Sequence, residues 1–262
     1  MTRAPEVACE RDGAVAHVRL SHPGKFNAMS RRMWRQLREV FLDLQADGSL
    51  RCVVVRGTEG HFCAGGDIAE YPDFRFDEAA LRSFHEDDVW GGLSAMLACD
   101  LPVVACIEGN CMGAGMEIAS CCDIRLAGSR ARFGAPIARL GFPMAPREAR
   151  LVARAAGDLT AREMLLSAAV LDAAEMKMRG FINRVAPEEQ LEAATQELLA
   201  GMAALAPRAA RLNKQALRVL SGVDSELPPA LRDGVYSYAD SAEHREGIDA
   251  FLSKRRPRFS DL

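Results

Sequence analysis

Two glycine-rich turns hold the residues best suited to chemistry. The first is His61-Phe62-Cys63-Ala64-Gly65-Gly66-Asp67-Ile68 and the second Gly109-Asn110-Cys111-Met112-Gly113-Ala114-Gly115-Met116-Glu117. Small residues at 64 to 66 let a ligand approach the main chain, and glycine allows N–H groups to turn outward. At the second turn a helix begins. Its first N–H groups lack internal partners and carry partial positive charge, so an oxygen gaining negative charge there is stabilised. Two such donors, one from each turn, can converge on a single carbonyl oxygen, which is the requirement of acyl chemistry. Glu117 shares a helix face with Ala114 and holds a carboxylate just behind that oxygen. Met112 and Met116 are expected around it, and apolar surroundings raise a carboxyl pKa toward neutrality.

Each turn taken singly also reads as plain architecture. The first is then a strand-to-helix turn with Asp67 as cap, and the second a tight crossover with Glu117 facing the helix dipole. The pair is more informative than either. Neither is a phosphate loop, because G-x-x-x-x-G-K-[ST] does not occur and G-x-G-x-x-G is absent at both places.

The elements that must position these turns are legible as periodicities. Ala16, Val18 and Leu20 alternate with His17 and Arg19, a half-buried strand. Ser30 opens a helix with Met33, Leu37, Val40, Phe41 and Leu44 at helical spacing, and Asp47-Gly48 stops it. Cys52–Val55, Val103–Ile107 and Ile124–Ala127 are short apolar runs, read as buried strands. Helices between them make the strand, crossover, strand rhythm of a parallel α/β arrangement. A polar, acidic helical stretch is expected up to about Ala98. Beyond residue 130 the chain is mainly helical. Pro146 and Gly157 bound one helix, Thr160-x-x-Glu163 and Asp172-x-x-Glu175 resemble capping boxes, and Pro187 and Pro207 open two more. Phe181–Ala186 is expected as a last strand. From about 201 to the end no strand pattern occurs.

The totals narrow the function classes. The 262 residues suffice for one large domain with a small appendage, and 49% hydrophobic with 26% charged residues is ordinary for a globular protein. A net charge of -3 gives no electrostatic reason to expect nucleic acid or an anionic membrane as partner. The eight cysteines form no C-x-x-C pair and several lie in apolar runs, so a reducing, cytoplasmic compartment is expected. The first residues carry no apolar run resembling a secretory signal, and no stretch approaches the roughly 20 apolar residues of a membrane span. The five histidines lack H-x-x-x-H spacing, and no metal site is expected.

At the two turns the chain resembles the enoyl-CoA hydratase/isomerase (crotonase) family. Phe62 to Ile68 is similar to its F-x-A-G-x-D-[IL] segment, and Asn110 to Glu117 with Cys122-Asp123 to its second turn, helix and C-D ending. Pro23 with Asn27-Ala28-Met29, Phe133-Gly134-x-Pro136 with Leu140-Gly141, and Glu243 to Arg258 resemble three further segments in the family's order. The resemblance implies a crotonase-like α/β spiral of ββα units over residues 1–200 and a helical C-terminal trimerisation region over 201–262. It implies an acyl-CoA thioester substrate, no cofactor beyond coenzyme A carried by that substrate, and a homotrimer or dimer of trimers. It assigns the oxyanion hole to the backbone N–H groups of Ala64 and Ala114, with Ala114 where glycine is usual, and the acid/base role to Glu117. Lys25, Phe26, Ala28, Gly65, Gly66, Asp67 and Ile68 are placed along the CoA moiety, Gly113 and Ile137 in the acyl site, and Phe251 and Lys254 near a neighbouring subunit's CoA.

One departure limits the mechanism. The family's hydratases use a second glutamate where this chain has Ile137, and the adjacent Ala138 and Arg139 are not carboxylates either. Hydration needs a water oriented on one face and a proton delivered to the α-carbon, and general acid–base help is worth about 10²–10⁴-fold. Another crotonase-family reaction (thioester hydrolysis, decarboxylation or C–C cleavage) and a silent acyl-CoA binder therefore stay open as alternatives. A substitute acid is sought in His85, Glu86, Asp87 and Asp88, a stretch that reads first as a solvated acidic face. Tyr236 and Tyr238 are weaker candidates. Arg139 reads as a surface or interface residue that can also meet a substrate carboxylate.

Overall fold

The computed structural model describes residues 4–220 and 241–259. Six strands form one sheet in the order β1-β2-β3-β4-β6-β9: β1 (Glu6–Asp12), β2 (Val15–Ser21), β3 (Cys52–Gly57), β4 (Val103–Ile107), β6 (Ile124–Gly128) and β9 (Arg184–Ala186). Only the β1–β2 hairpin is antiparallel. Strand β4 is apolar throughout and β3 over Cys52–Val55, because both of their faces are covered. Val53, Val55, Val103, Ala105 and Ile107 face the main core. Cys52, Val54, Val104, Cys106 and Leu126 face a smaller one, closed by Leu191 and Leu199 of helix α8 (Glu188–Ala203).

A second, three-stranded sheet of β5 (Asn110–Met112), β7 (Arg132–Gly134) and β8 (Val170–Asp172) gives the repeat its second strand. Cys63 bridges to Cys111, Cys111 pairs with Phe133, and Phe133 with Leu171. Each repeat is thus a long strand in the large sheet, a short strand in the small one, and a helical return, as the ββα expectation required.

Helix α1 (Arg31–Ala46) starts where Ser30 accepts a hydrogen bond from the Met33 amide at 3.2 Å, and it buries Met33, Trp34, Leu37, Phe41 and Leu44. The catalytic-side helix α4 (Ala114–Cys121) has the expected bounds and is buried along its whole length. The acidic stretch is not one helix. It divides into a 3₁₀ turn (Ile68–Asp73), α2 (Glu78–Ser83), a π-helical segment (Phe84–Val89) and α3 (Trp90–Ala98). Helix α5 (Pro146–Ala156) follows a 3₁₀ turn (Pro136–Leu140).

Other expectations change. Thr160 lies inside α6 (Asp158–Leu166), buried, so it caps nothing, whereas Asp172 and Glu175 form a full capping box at α7 (Ala173–Met178). Phe181 and Ile182 are buried but lie outside the ladder, which begins only at Arg184. The C-terminal α9 (Pro207–Leu220) is tied to the body by Arg211 to the Asp47 and Leu50 carbonyls and by Lys214 to Asp123 at 2.7 Å. Helix α10 (Ala242–Leu252) completes the chain, and among the described residues no helix is long and apolar enough to cross a membrane.

Candidate active site

The two glycine-rich turns lie side by side because their backbones are bonded to each other. The Cys63 amide donates to Asn110 O and the Met112 amide to Cys63 O, both at 2.8 Å. Glycine is required where they touch: a Cβ on Gly115 would stand 2.6 Å from the Cys63 carbonyl oxygen. Gly113, with φ of 48°, turns β5 into α4 in a conformation open to glycine. On the other flank Asn27 ties the 22–28 segment down, its amide donating to Thr58 O at 2.8 Å and His61 O at 2.7 Å.

Free amides mark where an oxygen gaining negative charge could be held, and the expected donor Ala64 is not among them. The Ala64 N–H donates to Phe26 O at 3.0 Å and is spent on architecture. Two residues on, Gly65 O accepts from Met29 and the Asp67 amide donates to Met29 O, both at 2.8 Å. The Gly66 N–H between them has no partner among the described residues. Ala114 opens α4, and its N–H is likewise one of the unpartnered donors of a helix start. Gly66 and Ala114 line the same cavity, of about 330 Å³. The Gly65 N–H is unpartnered too among the described residues, and Gly65 lines the same cavity. The first turn thus offers free amides at Gly65 and Gly66, with Ala114 from the second, while the Ala64 N–H is engaged and Ala64 keeps only a lining role.

Glu117 stands in the first turn of α4, 9% exposed, and lines that cavity. Its carboxyl has no hydrogen-bond partner among the described residues. Burial, with a smaller contribution from the charge of Glu148, pushes its pKa up to about 8. The group thus exchanges a proton near neutrality, as its apolar surroundings led us to expect.

Gly65, Ile68, Gly113 and Ile137 also line the cavity, so Ile137 stands beside Glu117 where the resemblance expects a second carboxylate. Five expected CoA contacts lie outside the lining. Lys25 Nζ meets both oxygens of Asp67 at 2.8 and 2.7 Å, and Asp67 also caps the 3₁₀ turn through the Ala69 amide. Phe26 is exposed with its ring 4.4 Å from that of His61, and Ala28 is buried, its carbonyl bonded by His22. Lys254 is exposed beyond α10 and does not reach this cavity. The Phe251 side chain, Tyr236 and Tyr238 lie outside the described residues. Arg139 borders the cavity, is mostly exposed, and donates to Ala168 O at 3.2 Å.

Several lining residues have no motif to announce them. The Tyr71 hydroxyl lies against Gly66, where an added Cβ would meet it at 2.2 Å. Arg75 stacks over Phe142, 3.6 Å from the ring centre, and burial holds its guanidinium below the usual range. A second cavity of about 410 Å³ shares Ile137, Phe142 and Met144 with the first.

Comparison with known proteins agrees with this geometry. The family model described as enoyl-CoA hydratase/isomerase matches residues 10–262. The 2,3-dehydroadipyl-CoA hydratase of Escherichia coli K12 is 32% identical over 97% of this chain and 98% of its own. A probable enoyl-CoA hydratase of Mycobacterium tuberculosis is 28% identical over 97% of each chain. The crystal structure of an enoyl-CoA hydratase/carnithine racemase from Magnetospirillum magneticum superposes with a TM-score of 0.93, at 34% identity over 97% of this chain and 94% of that one. Two turns bonded to each other, with a buried glutamate on the same cavity, are accounted for by descent: this chain belongs to the enoyl-CoA hydratase/isomerase family of enzymes acting on acyl-CoA thioesters.

Proposed function

We propose that the protein is an enoyl-CoA hydratase or isomerase whose thioester oxygen sits between the Gly66 and Ala114 N–H groups and whose Glu117 exchanges the proton at the α-carbon. The observation that carries this reading is the meeting of partnerless amides from both turns and one buried carboxyl in a single cavity. The amides stabilise the enolate-like oxygen more than the ground-state carbonyl, so they act on the rate and not on binding alone. Glu117 sits where neither protonation state is costly, which suits it to give or take a proton. Ile137 replaces a second carboxylate, and the acyl chain runs from the first cavity toward Phe142 and Met144. Lys25, Phe26, Ala28 and Asp67 form the rim along which the CoA moiety lies.

The same reading makes residues 1–200 the catalytic body and 201–262 an oligomerisation region, in a trimer or dimer of trimers. Support comes from apolar side chains left exposed there: Leu205, Leu217, Ile248 and Leu252. Lys254 then belongs to a neighbour's CoA site. Eight free cysteines, seven of them buried, fit a cytoplasmic enzyme.

The test is spectroscopic. Loss of the conjugated-thioester absorbance of crotonyl-CoA is expected for hydration, and its gain from a 3-enoyl-CoA for isomerisation. Glu117→Gln is expected to abolish either while CoA-dependent thermal stabilisation remains. Silence of the wild type in both assays, with that stabilisation intact, would make the protein a binder and refute the reading.

A further inference from the structure

The cavity that Glu117 lines also holds a histidine with a buried carboxylate behind it. His85 lines the cavity from the π-helical segment Phe84–Val89, a form that is rare and frequent at functional sites. Its Nδ1 is fully buried and lacks a hydrogen bond, while the side chain keeps 24% of its surface accessible. The accessible part of the side chain therefore lies away from Nδ1. Nδ1 lies 3.5 Å from Oε1 of Glu148, in the first turn of α5. Glu148 is 2% exposed, and among the described residues His85 is its one charged partner. A carboxylate buried without Lys or Arg is costly unless something answers its charge. An imidazole that becomes cationic during turnover does so.

The neighbours of His85 are committed elsewhere. Glu86 pairs with Arg147 at 2.6 Å, Asp87 accepts from Ser83 at 2.8 Å, and Asp88 is clasped by Arg31 and Arg35, each at 2.7 Å. Of the four expected candidates for a substitute acid, only His85 lines the cavity.

We propose that His85, oriented by Glu148, is the second proton-transfer group of this site, working across the acyl chain from Glu117 in place of the carboxylate that Ile137 lacks. The proposal rests on the function above. With its oxygen 3.5 Å from Nδ1, Glu148 favours the tautomer that carries the proton on that nitrogen and leaves Nε2 as an acceptor. In the hydration step Nε2 takes a proton from water as the water oxygen bonds to C3. The C2=C3 pair moves to C1–C2, and the carbonyl pair moves onto the thioester oxygen held by Gly66 and Ala114. The enolate then collapses: its C1=C2 pair takes the proton of the Glu117 carboxyl at C2. The products are the 3-hydroxyacyl thioester, an imidazolium beside the Glu148 carboxylate, and an ionised Glu117. One proton passing from His85 to Glu117 through solvent restores the site. Glu148 is a positioning residue, since it touches neither substrate nor water.

Two reactions separate this proposal from the one it rests on. Solvent deuterium exchange at the α-carbon of butyryl-CoA needs Glu117 and the oxyanion site alone, whereas hydration of crotonyl-CoA needs water activation as well. For His85→Asn and Glu148→Gln the ratio of hydration to exchange is expected to fall about 100-fold, with KM nearly unchanged. Retained exchange certifies that the variants are folded. Glu117→Gln is expected to lose both reactions. Hydration unaltered in both variants, or hydration and exchange falling together, overturns the His85–Glu148 proposal and leaves the oxyanion reading standing. Selective loss in Tyr71→Phe but not in His85→Asn overturns it too, by moving the role to Tyr71. A wild type that performs neither reaction refutes the underlying function itself.

Discussion

The two walls of the cavity are held in different ways. The α4 wall is backbone: its donors are peptide N–H groups, fixed by the Cys63–Asn110 and Cys63–Met112 hydrogen bonds and by glycines at contact. The facing wall is made of side chains: His85 from a π-helical segment, with Glu148 of α5 behind it, Ile137 from a 3₁₀ turn, and Phe142 under the Arg75 guanidinium. Backbone donors survive every substitution except proline and serve any acyl-CoA reaction through an enolate. Side chains can be exchanged one at a time. A family that keeps the first wall and varies the second can change reaction while keeping its oxyanion site.

The largest effect should come from the residue that joins the two walls. Glu117→Gln is expected to lower kcat by about 10³-fold, read in the crotonyl-CoA assay. It should also change stability in a defined sense. Glu117 keeps its proton in the fold up to a pH of about 8 but would release it near 4.5 when unfolded. The folded state thus binds more protons in that window, and stability is lost as pH rises through it, by on the order of 4–5 kcal/mol. Urea midpoints of Glu117→Gln should lack this fall and exceed those of the wild type above pH 8.

Next comes the amide of Ala114. Proline is tolerated at the first position of a helix but brings no N–H. Ala114→Pro is expected to lower kcat by about 10²–10³-fold with little change in melting temperature. A variant with wild-type kcat would remove the second turn from the mechanism. Gly115→Ala attacks the contact between the turns. Its Cβ would meet a backbone carbonyl, so a loss of about 1–3 kcal/mol is expected in denaturant unfolding. On the facing wall a comparable change should be milder. Phe142→Leu is expected to cost about 1 kcal/mol and to show chiefly as a changed KM across acyl lengths.

The backbone wall was largely readable from the chain, because short-range rules write it. Apolar runs gave β3, β4 and β6, and a helix start at Ala114 follows from one turn of sequence. The expected donor Ala64 is not free, because its amide is taken by Phe26 O, brought in from a distant segment, while those of Gly65 and Gly66 are left open. Strand β1 is half polar, and β5, β7 and β8 have three residues each, too few for a period of two to register. The side-chain wall was not readable. His85 sits in an acidic run that looks solvated, and nothing local connects it to Glu148, which arrives from α5. Only assembly of the repeats puts both against Glu117.

The central claim is that the Gly66 and Ala114 amides share one thioester oxygen. A crystal structure of Glu117→Gln with crotonyl-CoA measures this directly. Both amide nitrogens are expected within about 2.7–3.1 Å of that oxygen. An oxygen bound by neither amide, or bound through a displaced Ala64 N–H, would contradict the account.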